Sequence, residues 1–262
     1  MLEGEFSDTV INEPELLAHH FTRAGLPERA VPYWARAGQR ALERVAFTEA
    51  VGHLKTALTV NERLSNSLDR DRQELQLRVL LATAYFGLLG WAAIEMLRTL
   101  NPARDLARRV GERRTLTSIL YYVWVHHSMR CEYEMADAPI AELYLLARST
   151  GDSRSMITAQ MTDACTRCWK GDFVGSRRVS AEVAAGYKLD THGDLVQTYN
   201  HDPKCVTQGW VSAAIWALGY PDEAFRLALD QLALARQMGH VFNLVWALTG
   251  GASACCCGET RS

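Results

Sequence analysis

Residues 216–228 read WALGYPDEAFRLA, the clearest copy of a turn that recurs along the chain. Helix-forming sequence stops at Gly219, turns through Tyr220, Pro221 and Asp222, and restarts at Glu223 and Ala224. Glycine permits a helix to stop, and carboxylates at the next helix start favour its positive end and its free N–H groups. The turn therefore predicts two packed helices. Tyr220 reads as a wedge between them rather than as an acid.

Outward from this turn the same grammar recurs. Glu132-Tyr133, Gly171-Asp172-Phe173 and Gly90-Trp91 each end one apolar run and precede another. Ala136, Ser176 and Ala224 follow the aromatic after three or four positions. A second class of turn interleaves with the first. Ala107-Arg108-Arg109-Val110-Gly111-Glu112 returns as Ala147-Arg148-Ser149-Thr150-Gly151-Asp152 and as Ala235-Arg236-Gln237-Met238-Gly239-His240. Gly193-Asp194 falls in the gap as the expected intervening member. Between turns, Val206, Trp210, Ala213 and Ala217, then Ala224, Ala228, Leu232 and Ala235, keep helical spacing. The repeating unit is a helix pair of about 40 to 46 residues.

Shorter turns extend the pattern toward the N-terminus. Helices are expected over 14–22 and 30–37, then over 39–45 and 47–60, followed by a long buried helix over 74–89. No alternating strand pattern of useful length appears. A single helix pair cannot cover its own apolar face, so neighbours must stack into one continuous core. The fold class expected is all-α, an α-α superhelix or tetratricopeptide-like solenoid of about six helix pairs. Its organisation reads as an N-terminal extension (1–13), the repeat domain (14–249) and an irregular cysteine-containing tail (250–262). The array is expected to break off with one unpaired apolar helix carrying Phe242, Leu244, Val245, Trp246 and Leu248, which predicts self-association.

Composition fits a folded chain. Of 262 residues, 48% are hydrophobic and 22% charged, near the globular average. The formal net charge of −2 provides no basic field for nucleic acid or an anionic membrane. The acidic N-terminus is unlike a secretory signal, and the longest uncharged runs fall short of the roughly 20 apolar residues of a membrane span. Seven cysteines with no framework spacing imply a cytoplasmic chain with reduced thiols.

Chemistry-bearing motifs are sparse. There is no phosphate-cradling G-x-x-x-x-G-K-[ST] loop, no G-x-G-x-x-G, no G-x-S-x-G elbow and no H-E-x-x-H pair. No cofactor and no catalytic residue are expected. The metal candidate is a lone Cys165-x-x-Cys168 with His126-His127 about one repeat earlier, half of the four-ligand set a structural zinc needs. At i and i+3 the cysteines also fit as small apolar groups on one helix face. Each histidine pair points about 100° apart on a helix, so one member faces any given site. Asp202 before Pro203 reads as a helix cap. The remaining candidate is a partner-binding concave face of Tyr122, Trp124, His126, Arg130, Trp169 and Lys170.

Three passages carry a family resemblance: PELLAHHFTRAGLPERAVPYWARAGQRALERVAFTEAVGHLKTAL (14–58), ELQLRVLLATAYFGLLGWAAIE (74–95) and NHDPKCVTQGWVSAAIWALGYPDEAFRLALDQLALARQMGHVFNLVWAL (200–248). They resemble the tetratricopeptide-like C-terminal region of bacterial class III adenylate or guanylate cyclases that carry a STAND-type ATPase module. Ile94 departs from the proline usual in that family. The resemblance implies a non-catalytic interaction or regulatory module, with a protein partner or attached cyclase and ATPase domains. Neither the metal-binding aspartates of a cyclase nor an ATPase phosphate loop has a counterpart here. The alternative is an autonomous metal-binding protein or enzyme built on His126, His127, Cys165 and Cys168.

Overall fold

The structure is a computed structural model that describes the backbone of residues 13–258 and the side chains of 13–249. The chain is all-α and of the tetratricopeptide-like solenoid class; the described residues contain helices and no strand. The helices are α1 (Pro14–Arg23), α2 (Pro27–Glu43), α3 (Phe47–Asn61), α4 (Leu68–Leu89), α5 (Ile94–Val110), α6 (Arg113–Met129), α7 (Tyr133–Thr150), α8 (Ser153–Trp169), α9 (Phe173–Gly186), α10 (Leu189–His192), α11 (Leu195–Tyr199), α12 (Pro203–Ala217), α13 (Pro221–Met238) and α14 (Val241–Gly258). The chain forms two compact units, divided within α6 between Ile119 and Leu120.

In the first unit α1 to α5 pack as consecutive antiparallel neighbours, with α2 also touching α4. Ala18, Ala30, Trp34, Ala41, Ala50, Leu54, Ala57, Leu77, Leu81 and Leu100 are buried there. The sequence reading placed a break near Gly38 and Gln39, and the structure corrects it: α2 runs unbroken to Glu43. Gly38 is instead a contact point, because a Cβ there would lie 2.5 Å from Cγ of Leu54 on α3. A missing side chain lets two helices approach closely as well as letting one end.

In the second unit α7 packs on α8, α8 on α9, α12 on α13 and α13 on α14. The first helices of successive pairs also meet directly, α8 with α12 and α12 with α14. Gly151 and Gly239 end their helices in the left-handed conformation, as the repeated turn requires. Gly193 does not. Its φ is −64° and it joins two short helices, α10 and α11, in a 16-residue connection that replaces the expected turn.

The opening turn is also sharpened. No side chain caps α13 at Tyr220, so Asp222 and Glu223 act there through charge alone. Glu223 instead takes a bidentate bond from Arg177 of α9, at 3.0 and 2.5 Å. Tyr220 is half exposed and lies under the same guanidinium, 4.3 Å from its ring centroid. It is a platform for a cation on the neighbouring helix rather than a core wedge. The last helix continues to Gly258, past the expected end at 249, and so runs on into what the sequence reading treated as an irregular tail. The cysteine cluster at 255–257 has its side chains outside the described residues. No helix among the described residues is long and apolar enough to cross a membrane.

Candidate functional site

A row of tryptophans in the second unit runs along α6, α8, α12 and α14, with Tyr133 of α7 beside it. Trp124 stacks on Trp169 with centroids 5.6 Å apart, and Tyr133 stacks on the same indole at 5.8 Å. Trp169 meets Trp210 edge to face at 5.3 Å, and Trp210 meets Trp246 at 5.4 Å. Aromatic pairs in this range contribute about 0.5–1.5 kcal/mol each beyond burial. The row follows from the repeat: helices that stack side by side bring residues one period apart into contact. Trp169, Trp210 and Trp246 are half-buried, so the row is partly open to solvent.

Gly209 sets the spacing of the row. A Cβ there would fall 2.4 Å from Nε1 of Trp246 and 2.8 Å from Nε2 of Gln231. Gly209→Val is expected to push Trp246 off α12 and to destabilise the chain by about 1–3 kcal/mol, the usual range for overpacking. A red-shifted tryptophan emission and a lower unfolding midpoint would show it. An unchanged midpoint would show that α14 yields to the added side chain without loss of stability.

The expected partner face divides on inspection. Trp124 and His126 are buried, at 4% and 1% exposure, and belong to the interior. Trp124 Nε1 donates to Thr166 Oγ1 at 2.8 Å, which satisfies the indole inside the core. Tyr122 is half-buried and its hydroxyl donates to the Thr198 carbonyl at 2.6 Å. Arg130 and Lys170 are exposed; Arg130 donates to Glu132 at 2.6 Å, and Lys170 to Asp137 at 2.7 Å and Glu134 at 3.3 Å. Of the six residues, Arg130 and Lys170 are exposed, Trp169 and Tyr122 are half-buried, and Trp124 and His126 are buried.

The metal candidate also separates into parts. Among the described residues, the group with ligand atoms close enough for one ion is His126, His127 and Glu132, all within 4.8 Å. Neither cysteine belongs to it. Cys165 is fully buried and burial pushes its thiol well up, while Cys168 donates its thiol to the Trp210 carbonyl at 3.4 Å. A zinc ligand is a thiolate, so these surroundings oppose metal binding. The two imidazoles stand edge to face at 5.3 Å, and His127 Nδ1 lies 2.9 Å from Glu132 Oε2. The bonds from His127 and Arg130 hold the Glu132 carboxyl below its ordinary range. The group closes the C-terminus of α6, where His127 O also accepts from Glu132 N at 2.9 Å and the chain turns through Cys131 at φ 57°. Positive side chains suit that helix end.

Sequence reasoning missed the 16-residue connection altogether. It folds over the inner helices: His201 Nε2 lies 2.6 Å from the Tyr121 hydroxyl, and Tyr199 shares a 3.0 Å hydrogen bond with Thr158 of α8. The signal available was its length, since the other pairs in this unit are joined by two residues, as at Gly151-Asp152 and Gly239-His240. Asp202 at its end is the cap expected, accepting from Cys205 N at 2.9 Å. It also accepts from the Tyr187 hydroxyl at 2.5 Å, a bond between the two ends of the connection that no local pattern signals.

No protein family matches the chain, and no curated protein matches it. Among solved structures, a Signal Transduction ATPase with Numerous Domains (STAND) protein with a tetratricopeptide repeat sensor, from Pyrococcus horikoshii, aligns over 95% of this chain with a TM-score of 0.67. The two are 12% identical, and the chain spans 42% of that protein's length. The likeness is one of fold.

Proposed function

We propose that this chain is a non-catalytic helical-repeat module for protein interaction or regulation, of the sort attached to a signalling ATPase. The observation that carries the reading is the row of half-buried indoles, Trp169, Trp210 and Trp246, along successive inner helices. Tryptophan supplies large, rigid contact area at low entropic cost, which makes it the favoured anchor at protein interfaces. The exposed side chains nearby, Lys170 and Arg130, are already paired with carboxylates and form a polar rim. Attachment to an adenylate or guanylate cyclase is the finer form of this reading and rests on the sequence resemblance.

A photo-cross-linking residue placed at Trp210 and, as a control, at Leu145 on α7 tests it in extracts of the source cell. Leu145 is 67% exposed, so both positions meet solvent. A discrete polypeptide captured at position 210 and absent at 145 is expected. Equal capture at both positions, or none at either, sinks the reading.

A further inference from the structure

Residues 188–201 form a loop whose two ends are clasped by the Tyr187–Asp202 hydrogen bond. Compact loops of this size with adjoining ends are held by their own side chains and often carry function. Its helices, α10 and α11, have four and five residues, too short to hold helical form alone. What fixes the loop is the inner face beneath it. His192, Leu195, Val196 and Tyr199 are buried. Tyr122 reaches the Thr198 carbonyl, and Arg154 reaches both the Thr191 carbonyl at 3.0 Å and Asp194 at 2.6 Å. Ser153 meets His192 at 3.0 Å and Thr158 meets Tyr199 at 3.0 Å. These are side chains of the inner helices α6 and α8 gripping a separate segment at two backbone carbonyls and three side chains, as they would grip a bound peptide.

The helix stack does not need this segment. α8 packs directly on α12, and α9 directly on α12, so the array is continuous beneath the loop. The geometry points to residues 188–201 as a built-in ligand that occupies the part of the inner face formed by Tyr121, Tyr122, Arg154 and Thr158 and is displaced by a partner segment of like chemistry. That partner carries an apolar pair followed by a phenolic side chain, as in Leu195-Val196-Gln197-Thr198-Tyr199, and offers a backbone carbonyl to Tyr122. The face is then self-occupied until the partner arrives, and a ligand pays the cost of opening the loop before it binds. Its role as a partner surface rests on the function proposed above, but the test below needs no partner and fails independently of it.

The test replaces residues 188–201 with a four-residue Gly-Ser linker in the full chain, leaving Tyr187 and Asp202 in place. The probe is a synthetic peptide of residues 187–202. The shortened protein is expected to keep its helical circular dichroism and to bind the peptide, while the unaltered chain, already occupied, binds it at least about tenfold more weakly. Tyr122→Phe in the shortened protein should weaken binding about five- to tenfold, the worth of one hydrogen bond. Hydrogen exchange on the unaltered chain gives a second measurement: amides of 189–199 should exchange by local opening, faster than those of α8 and α12. A shortened protein that unfolds, a folded one that ignores the peptide, or loop amides protected as strongly as the helices would each overturn the proposal.

Discussion

Asp202→Ala lowers the stability of the chain by about 2–4 kcal/mol, from the two losses it causes together. The residue is fully buried. One carboxylate oxygen caps α12 by accepting from Cys205 N at 2.9 Å, and losing a helix cap costs about 1–2 kcal/mol. The other accepts from the Tyr187 hydroxyl, itself 8% exposed, and orphaning such a donor costs about 1–3 kcal/mol. Its backbone N–H donates to Asn243 Oδ1 at 2.9 Å, which the substitution leaves in place. Asp202→Asn keeps one acceptor oxygen, which can still cap Cys205 N. Its NH2 can only donate, to a Tyr187 hydroxyl turned round to accept, so the variant should recover about half of the loss, the cap. Urea unfolding midpoints with unchanged slope would give both values. An alanine variant within about 0.5 kcal/mol of the parent, the scale of an ordinary surface substitution, would show that neither bond holds the fold.

Acid should weaken the same region. His201 lies among Tyr121 of α6, Tyr199 of α11 and Phe242 of α14, and none of these offers a carboxylate to an imidazolium. Burial lowers its pKa to about 4, and the like charge of His240 adds to the effect. The sign follows from which state binds protons. The unfolded chain takes up a proton near pH 6.5 and the folded chain resists until about pH 4. The stabilisation from a neutral His201 is therefore complete above pH 6.5 and is lost progressively as pH falls toward 4. Over that window it amounts to at most about 3 kcal/mol, less because the residue as a whole is only half-buried. His192 shifts in the same direction by burial, its Nδ1 accepting from Lys188 N at 2.9 Å. Asp202 acts in the opposite sense, since burial raises its pKa and its contribution is lost as pH rises. Comparing the parent with His201→Gln across pH 4–7 isolates the histidine. The parent's stability should fall more steeply than the variant's, and parallel curves would refute the assignment.

The separation of the metal candidate shows how far spacing alone reaches. His126-His127 and Cys165-x-x-Cys168 do sit on successive first helices, α6 and α8, as the repeat implies. Yet a helix position fixes only which way a side chain leaves its own axis. Cys165 turns into the core, Cys168 bonds a backbone carbonyl of α12, and the histidines close their own helix end with Glu132. The same limit explains the partner face. Trp124 and Trp169 look alike in the sequence, but Trp124 is buried against Trp169 and Thr166, while Trp169 is half-buried.

Local sequence signals are enough to make this chain a stack of helix pairs. Helical spacing of apolar residues, glycine at Gly151, Gly219 and Gly239, and the aspartate before Pro203 act over a few residues, so their reading needs no neighbour. Even at WALGYPDEAFRLA the turn was legible, but the pairing of Glu223 and Tyr220 with Arg177, 46 and 43 positions earlier, was not. Packing between helices set which indoles are partly open, that Gly38 joins helices instead of ending one, and that 188–201 lies across the inner face. Those outcomes depend on what another helix places opposite each residue, and a backbone of four- and five-residue helices takes its form from those contacts rather than from its own propensity.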